Sequence, residues 1–208
     1  MTVKFKMFLV ISMGIFWLGC KQRETATAAE PVTSSPTPPA KETTITVNLD
    51  KSPLDISYYP VDYPKLIMTG NTREPLVARV IYIRPRKDGR VIFGKVLRYG
   101  SRWRLGANEA TEIEFFRDVI IQQKRIKKNR YILYSIPFEN KWTIILNNDL
   151  FTWGLKIDST KDVYRFDVSV SKSQYPMEYF TIGFEKADSG IYLVMAWDTV
   201  KTMLPIRY

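Results

Sequence analysis

No histidine occurs anywhere in the 208 residues, and cysteine occurs once, at Cys20. These absences exclude a Ser-His-Asp triad, a Cys-His pair and the usual His or Cys zinc sites. They leave carboxylate chemistry, a Lys or Tyr acid or base, and hard-cation binding by oxygen ligands; no motif calls for a cofactor or a metal. Long apolar runs are scarce as well. The one that stands out, Met7 to Gly19, is thirteen residues long, where crossing the hydrocarbon core takes about 20. It has almost no polar face, which argues against an amphipathic core helix. No internal repeat is visible, and no window shows a long, capped helical period.

What is present at the start of the chain is an order of residues. Lys4 and Lys6 precede the apolar run, and Cys20 follows it directly. Basic, then apolar, then small, then Cys is the layout of a bacterial lipoprotein signal. The reading is therefore a signal peptide over 1–19, removed in the mature protein, with the lipid carried on Cys20. Trp17 and Leu18 stand where such signals usually carry Leu and a small residue. The alternative is ordinary secretion with a free thiol. Residues 20–42 are rich in Thr, Ala, Pro and Ser and lack aromatics. They cannot bury enough apolar area to fold and read as a disordered tether with a reach of about 25 Å. Lys21 is not the Asp that retains lipoproteins at an inner membrane. The expected address is the periplasmic face of an outer membrane.

From residue 43 to 208 the composition becomes globular, at a size ordinary for one domain. Segments rich in Val, Ile and aromatics recur at Leu76–Ile83, Glu112–Ile121, Arg130–Ile136 and Trp142–Leu146. Val163–Val170 alternates apolar and polar residues; Met177–Glu185 and Ile191–Trp197 follow, linked through Asp188-Ser189-Gly190. Alternation at period 2 means half-buried strands. The expectation is an all-β domain, a single antiparallel β-sandwich, with a closed β-barrel as the alternative.

Losing Lys4 and Lys6 with the signal lowers the net charge from +10 to +8, so the mature chain stays basic. The excess is concentrated: between Arg79 and Arg104 lie nine basic residues and one acid, Asp88. Arginine predominates, which suits planar recognition of carboxylate or phosphate. A second basic run, Lys124 to Arg130, reads as a turn between strands. For an exported, tethered protein, nucleic acid is a poor partner; an anionic envelope polysaccharide, lipid head groups, peptidoglycan carboxylates or a small anionic molecule fit better. Oligomeric state is left open. Among carboxylates, Glu112 and Glu114 are two apart on a strand, about 6.6 Å between Cα atoms, a spacing compatible with glycoside hydrolysis or with a solvated strand face.

The segments Ile83-Arg84-Pro85, Gly89 to Gly94, Trp103 to Thr111, Tyr131 to Pro137, Trp142 to Asn147, Trp153-Gly154, and Asp162 with Arg165 resemble the domain of unknown function 2911 over roughly Ser52 to Trp197. The nine-residue signature Trp103-Arg104-Leu105-Gly106-Ala107-Asn108-Glu109-Ala110-Thr111 is the most specific part. The resemblance implies a bacterial exported or lipid-anchored β protein and lends no established activity. Asn129 stands where the family tends to have glycine, as the non-glycine residue that best accepts a left-handed turn. Lys127 and Lys128 make that loop unusually basic.

The signature loop admits two readings. As a site, Arg104 is an anion clamp, Asn108 an amide donor, Glu109 a carboxylate and Trp103 an apolar wall against a sugar-like ring, with Arg84 and Arg90 as neighbours. As a clasp, Arg104 pairs with Glu109, Asn108 bonds its own backbone and Trp103 belongs to the core. The expected function is a binding or accessory module of the cell envelope. A carboxylate-based hydrolase or isomerase using Glu109, Glu112 or Asp162 is one alternative; a structural partner in an envelope complex is another.

Overall fold

The computed structural model describes residues 50–208; Cys20, the signal segment and the tether lie outside the described residues. Nine strands account for most of them: β1 (Leu54–Tyr59), β2 (Ala78–Ile83), β3 (Thr111–Phe115), β4 (Val119–Ile121), β5 (Lys124–Ile126), β6 (Asn129–Pro137), β7 (Lys141–Asn147), β8 (Asp162–Ala187) and β9 (Gly190–Ile206). A six-residue helix, α1 (Tyr63–Met68), follows β1, and a single 3-10 turn precedes β8. Seven strands form one antiparallel sheet in the order β1-β2-β3-β6-β7-β8-β9, and β4 pairs with β5 in a small second sheet.

Period 2 sets the inner face. Ala78, Val80 and Tyr82 of β2, Thr111, Ile113 and Phe115 of β3, and Trp142, Ile144 and Leu146 of β7 are buried in alternation with outward neighbours. The sheet curls around these residues into a half-barrel. Its curl carries the chain just past β2 back onto β8: Phe180 N–H donates to Pro85 O at 3.0 Å, Lys87 N–H donates to Glu178 O at 2.7 Å, and Arg86 lies opposite Tyr179. The all-β, antiparallel expectation is met, with one curled sheet supplying both walls of the core.

At the centre stands Trp103, 4.7 Å from Phe180, 5.5 Å from Trp142 and 5.8 Å from Trp197, ring centre to ring centre. Burying each large apolar side chain contributes about 1.5–3 kcal/mol, and offset or edge-on aromatic pairs add about 0.5–1.5 kcal/mol. A smaller apolar cluster of Tyr134, Ile145 and Ile157 lies on the opposite face of β6 and β7.

Several boundaries depart from the sequence reading. Glu112–Ile121 is two strands, because the chain leaves the large sheet at Phe116 and enters the small one at Val119. Val163–Val170 and Met177–Glu185 are one strand, β8, whose pairing with β9 shifts between Lys172 and Thr181. The basic run is half strand: Lys124 and Arg125 point outward while Ile126 is buried. Gln122 and Gln123 make the two-residue turn of this hairpin, both left-handed (φ 44° and 67°), the conformation that two-residue hairpins favour. Asn129 is not left-handed; it opens β6 opposite Phe115.

Candidate functional site

The signature loop runs between β2 and β3 and is shaped by two left-handed residues that are not glycine, Leu105 and Asn108, each at φ 53°. A leucine in that region is uncommon and needs support from its surroundings. Thr111 supplies it, its hydroxyl donating to Leu105 O at 2.7 Å. Gly106 is required by close approach, since a Cβ there would sit 3.0 Å from Ile83 O. The loop is thereby held against β2 and projects Arg104 beside a cleft of about 270 Å³.

Arg90, Arg102, Trp103, Arg104 and Ala107 line this cleft, together with Pro85, Val96, Leu97, Gly154, Leu155 and Trp197; Asp50 is its one acidic lining residue. An adjoining hollow of about 190 Å³ shares Val96, Leu97, Arg102 and Trp103. The three arginines differ in what they hold. Arg90 donates from Nε to Lys87 O at 3.0 Å and from its guanidinium to Arg86 O. Arg102 donates to Ile157 O and to Ser159 Oγ, both at 3.1 Å. Arg104 holds nothing: its Nη1 is buried and has no hydrogen-bond partner among the described residues. Burial pulls the pKa of Arg104 below arginine's ordinary value, opposed by the Asp50 carboxylate. The group still carries its charge. Its stem is packed under Gly154, where a Cβ would stand 3.1 Å from Arg104 Cδ and equally close to Ala110.

The sequence-predicted residues thus divide. Arg90, Trp103 and Arg104 border one cleft. Arg84 does not join them: it pairs with Asp55 at 3.3 Å and donates to Phe180 O and Thr181 Oγ1, because the curl brings β8 alongside it. Asn108 does not face the cleft as a free amide. It clamps the chain where the described residues begin, accepting from Asp50 N–H at 3.0 Å and donating from Nδ2 to Asp50 O at 2.7 Å. Glu109 is exposed and makes no ion pair with Arg104. The loop is neither of the two arrangements in full: Asn108 is a clasp, Trp103 is core with one edge on the cleft, and Arg104 is unengaged.

Arg102, Leu155 and Trp197 were not singled out from sequence. Trp197 and Leu155 come from chain positions far from the signature, and only folding joins them to it. The other carboxylates considered for chemistry are engaged. Glu114 pairs with Arg79, and Glu112 with Arg130 at 3.3 Å, across neighbouring strands. Asp162 accepts from Tyr134 Oη at 2.8 Å and from Asn147 Nδ2 at 2.8 Å, and lies 3.7 Å from Arg165. Burial and the bonded Asp162 push the Tyr134 hydroxyl up to about 12. Among the described residues, no three His, Cys, Asp or Glu side chains gather as a metal site.

Four of the segments on which the family resemblance rests reach this cleft, through Pro85, Arg90, the signature residues Trp103, Arg104, Gly106 and Ala107, and Gly154. The model for the protein of unknown function DUF2911 matches residues 67–206, from the end of α1 to the last residue of β9. The chain belongs to the DUF2911 family. No curated protein and no solved structure matches it. Within this DUF2911 domain, the arginine-lined cleft beside the signature loop is the concave feature that gathers the most unengaged polar chemistry. It has the Arg104 guanidinium, without a hydrogen-bond partner among the described residues, and apolar lining from Pro85, Val96, Leu97 and Leu155.

Proposed function

We propose that the protein is a lipid-anchored module of the bacterial cell envelope, facing the periplasm from the outer membrane, that binds a small anionic or sugar-like ligand in the cleft beside Arg104. One observation carries the binding reading: Arg104 presents a buried guanidinium nitrogen with no hydrogen-bond partner among the described residues, in the lining of a cleft bordered by two further arginines. An unmet buried donor costs about 1–3 kcal/mol and more when charged, so a site that keeps one is suited to an incoming acceptor. A carboxylate or phosphate satisfies the planar fork, and the exposed Val96 and Leu155 in the lining supply apolar surface beside it. The volume is at the small end of ligand sites, which favours a monosaccharide-sized molecule over a polymer segment. The hydrolase reading has less support, since Glu112 and Asp162 are tied into bonds away from this cleft and Glu109, though exposed, does not line it.

Thermal shift of the full chain against glucuronate, inorganic phosphate and neutral glucose tests it. A ligand at about 100 times its Kd stabilises by about 2.7 kcal/mol. The expected result is stabilisation by glucuronate or phosphate that disappears in Arg104→Ala. Equal stabilisation of Arg104→Ala, or none by either anion, refutes the reading. The anchor is tested separately: Cys20→Ser is expected to abolish acyl mass on the N-terminal peptide and release the protein from membranes. Unchanged partitioning of that variant overturns the lipid assignment.

A further inference from the structure

The cleft opens between two loops that carry apolar side chains into solvent. On one lip, Phe151 is 99% exposed, Leu155 73% and Trp153 46%; on the other, Val91 is 62% and Val96 44% exposed, and Tyr99 is exposed beside them. Val96 and Leu155 both line the cleft, so the two lips border the same mouth. A soluble domain gains nothing by holding phenylalanine, leucine and tryptophan in water on one five-residue stretch; such grouping marks a surface that is covered in use.

The charges around the mouth say by what. Lys95 and Arg98 flank Val96, Lys156 follows Leu155, and all three are exposed and free of ion pairs among the described residues. Arg104 waits within the cleft, and Asp50 is its one acidic lining residue. Apolar tips ringed by lysine and arginine match a bilayer of anionic lipids, whose acyl region receives the tips while the head groups meet the cations. Tryptophan and tyrosine prefer that same boundary. The Asn108 clamp holds Asp50 at the rim of this cleft.

We propose that this face docks on an anionic phospholipid surface, with Phe151, Trp153 and Leu155 entering the interface and Arg104 receiving a lipid phosphate. The proposal rests on the cleft being a ligand site and names that ligand's source. The tip residues provide contact, the exposed lysines and arginine provide attraction that salt screens, and Arg104 provides the one desolvated contact with a head group.

The test is vesicle flotation of the full Cys20→Ser chain, which removes the lipid anchor. Vesicles of phosphatidylcholine with about a third phosphatidylglycerol are compared with phosphatidylcholine alone. Binding to the anionic vesicles is expected to exceed binding to neutral ones by at least about tenfold, since each surface cation contributes about fivefold. Adding Phe151→Ser with Leu155→Ser is expected to cut it by about tenfold with an unchanged melting temperature, because both side chains are exposed. Adding Arg104→Ala is expected to cut it severalfold. Equal binding to both vesicles, or full binding by either variant, overturns the proposal. Inorganic phosphate separates the two readings: if it stabilises the chain through Arg104 while vesicles go unbound, docking fails and the cleft reading stands. If vesicles, phosphate and glucuronate all go unbound, both fail.

Discussion

Replacing Arg104 by methionine should make the protein more stable and less able to bind. Nη1 of Arg104 is buried without an acceptor, and an unmet buried polar group costs about 1–3 kcal/mol. Methionine keeps the stem that packs beneath Gly154 and Ala110, where the approach is close enough that a Cβ on Gly154 would stand 3.1 Å from Arg104 Cδ. It discards the donor and leaves no carboxylate stranded, because Arg104 makes no ion pair among the described residues. Some packing and solvation are lost with the guanidinium, so the expected net gain is about 1 kcal/mol. With an m-value of about 2 kcal/mol/M for a domain of this size, the urea midpoint rises by about 0.5 M at constant m; the melting temperature rises by about 2–4 °C. The same variant should lose the response to glucuronate or phosphate, a trade of stability against function. A destabilisation of about 3–5 kcal/mol would refute the reasoning, because that is the cost of breaking a buried charge pair.

Asn108→Ala removes both bonds to Asp50 and places a Cβ-bearing residue without asparagine's tolerance at φ 53°; a loss of about 1–2 kcal/mol is expected, with limited proteolysis cutting faster beside Asp50. Gly190→Ala puts a Cβ 2.2 Å from Ile206 O at φ 127°, backbone that cannot step aside, so a loss above about 2 kcal/mol in urea denaturation is expected. Alkaline pH should destabilise the fold: burial pushes the Tyr82 hydroxyl up to about 12 from an ordinary 10.0, so folding favours its protonated form. That contribution is complete below about pH 10 and is lost as pH rises toward 12. Up to about 2–3 kcal/mol goes with it, and Tyr82→Phe should flatten that part of the stability curve.

Much of the sheet is legible because period-2 burial leaves its mark wherever one face meets the core, as in β2, β3 and β7. β8 was harder to read. Gln174-Tyr175-Pro176 interrupts its pattern, and proline inside a strand usually signals an end or an irregularity; here it falls in the stretch where the pairing with β9 shifts register. β5 was missed because two of its three residues are exposed cations, indistinguishable from a turn by pattern alone. In the site, Arg104 stood out through its neighbours in one loop, whereas Arg84 lies apart from the cleft, because its partners Asp55, Phe180 and Thr181 become adjacent to it through the fold. Trp197 and Leu155 carried no local signal toward the cleft. Their part in it depends on long-range pairing that no short window encodes.

The contact that closes the curl also sets when the cleft can exist. Arg86 meets Glu178 across 92 residues of chain, whereas β8 and β9 are joined through a two-residue turn and β6 and β7 through a three-residue one. Short hairpins close at little entropic cost, whereas a contact across so long a loop costs more and forms later. Pro85 and Trp197, which both line the cleft, belong to the two ends of that late closure. A chain still folding therefore has hairpins but no cleft. The cleft is thus a property of the finished sheet, and no single hairpin carries it.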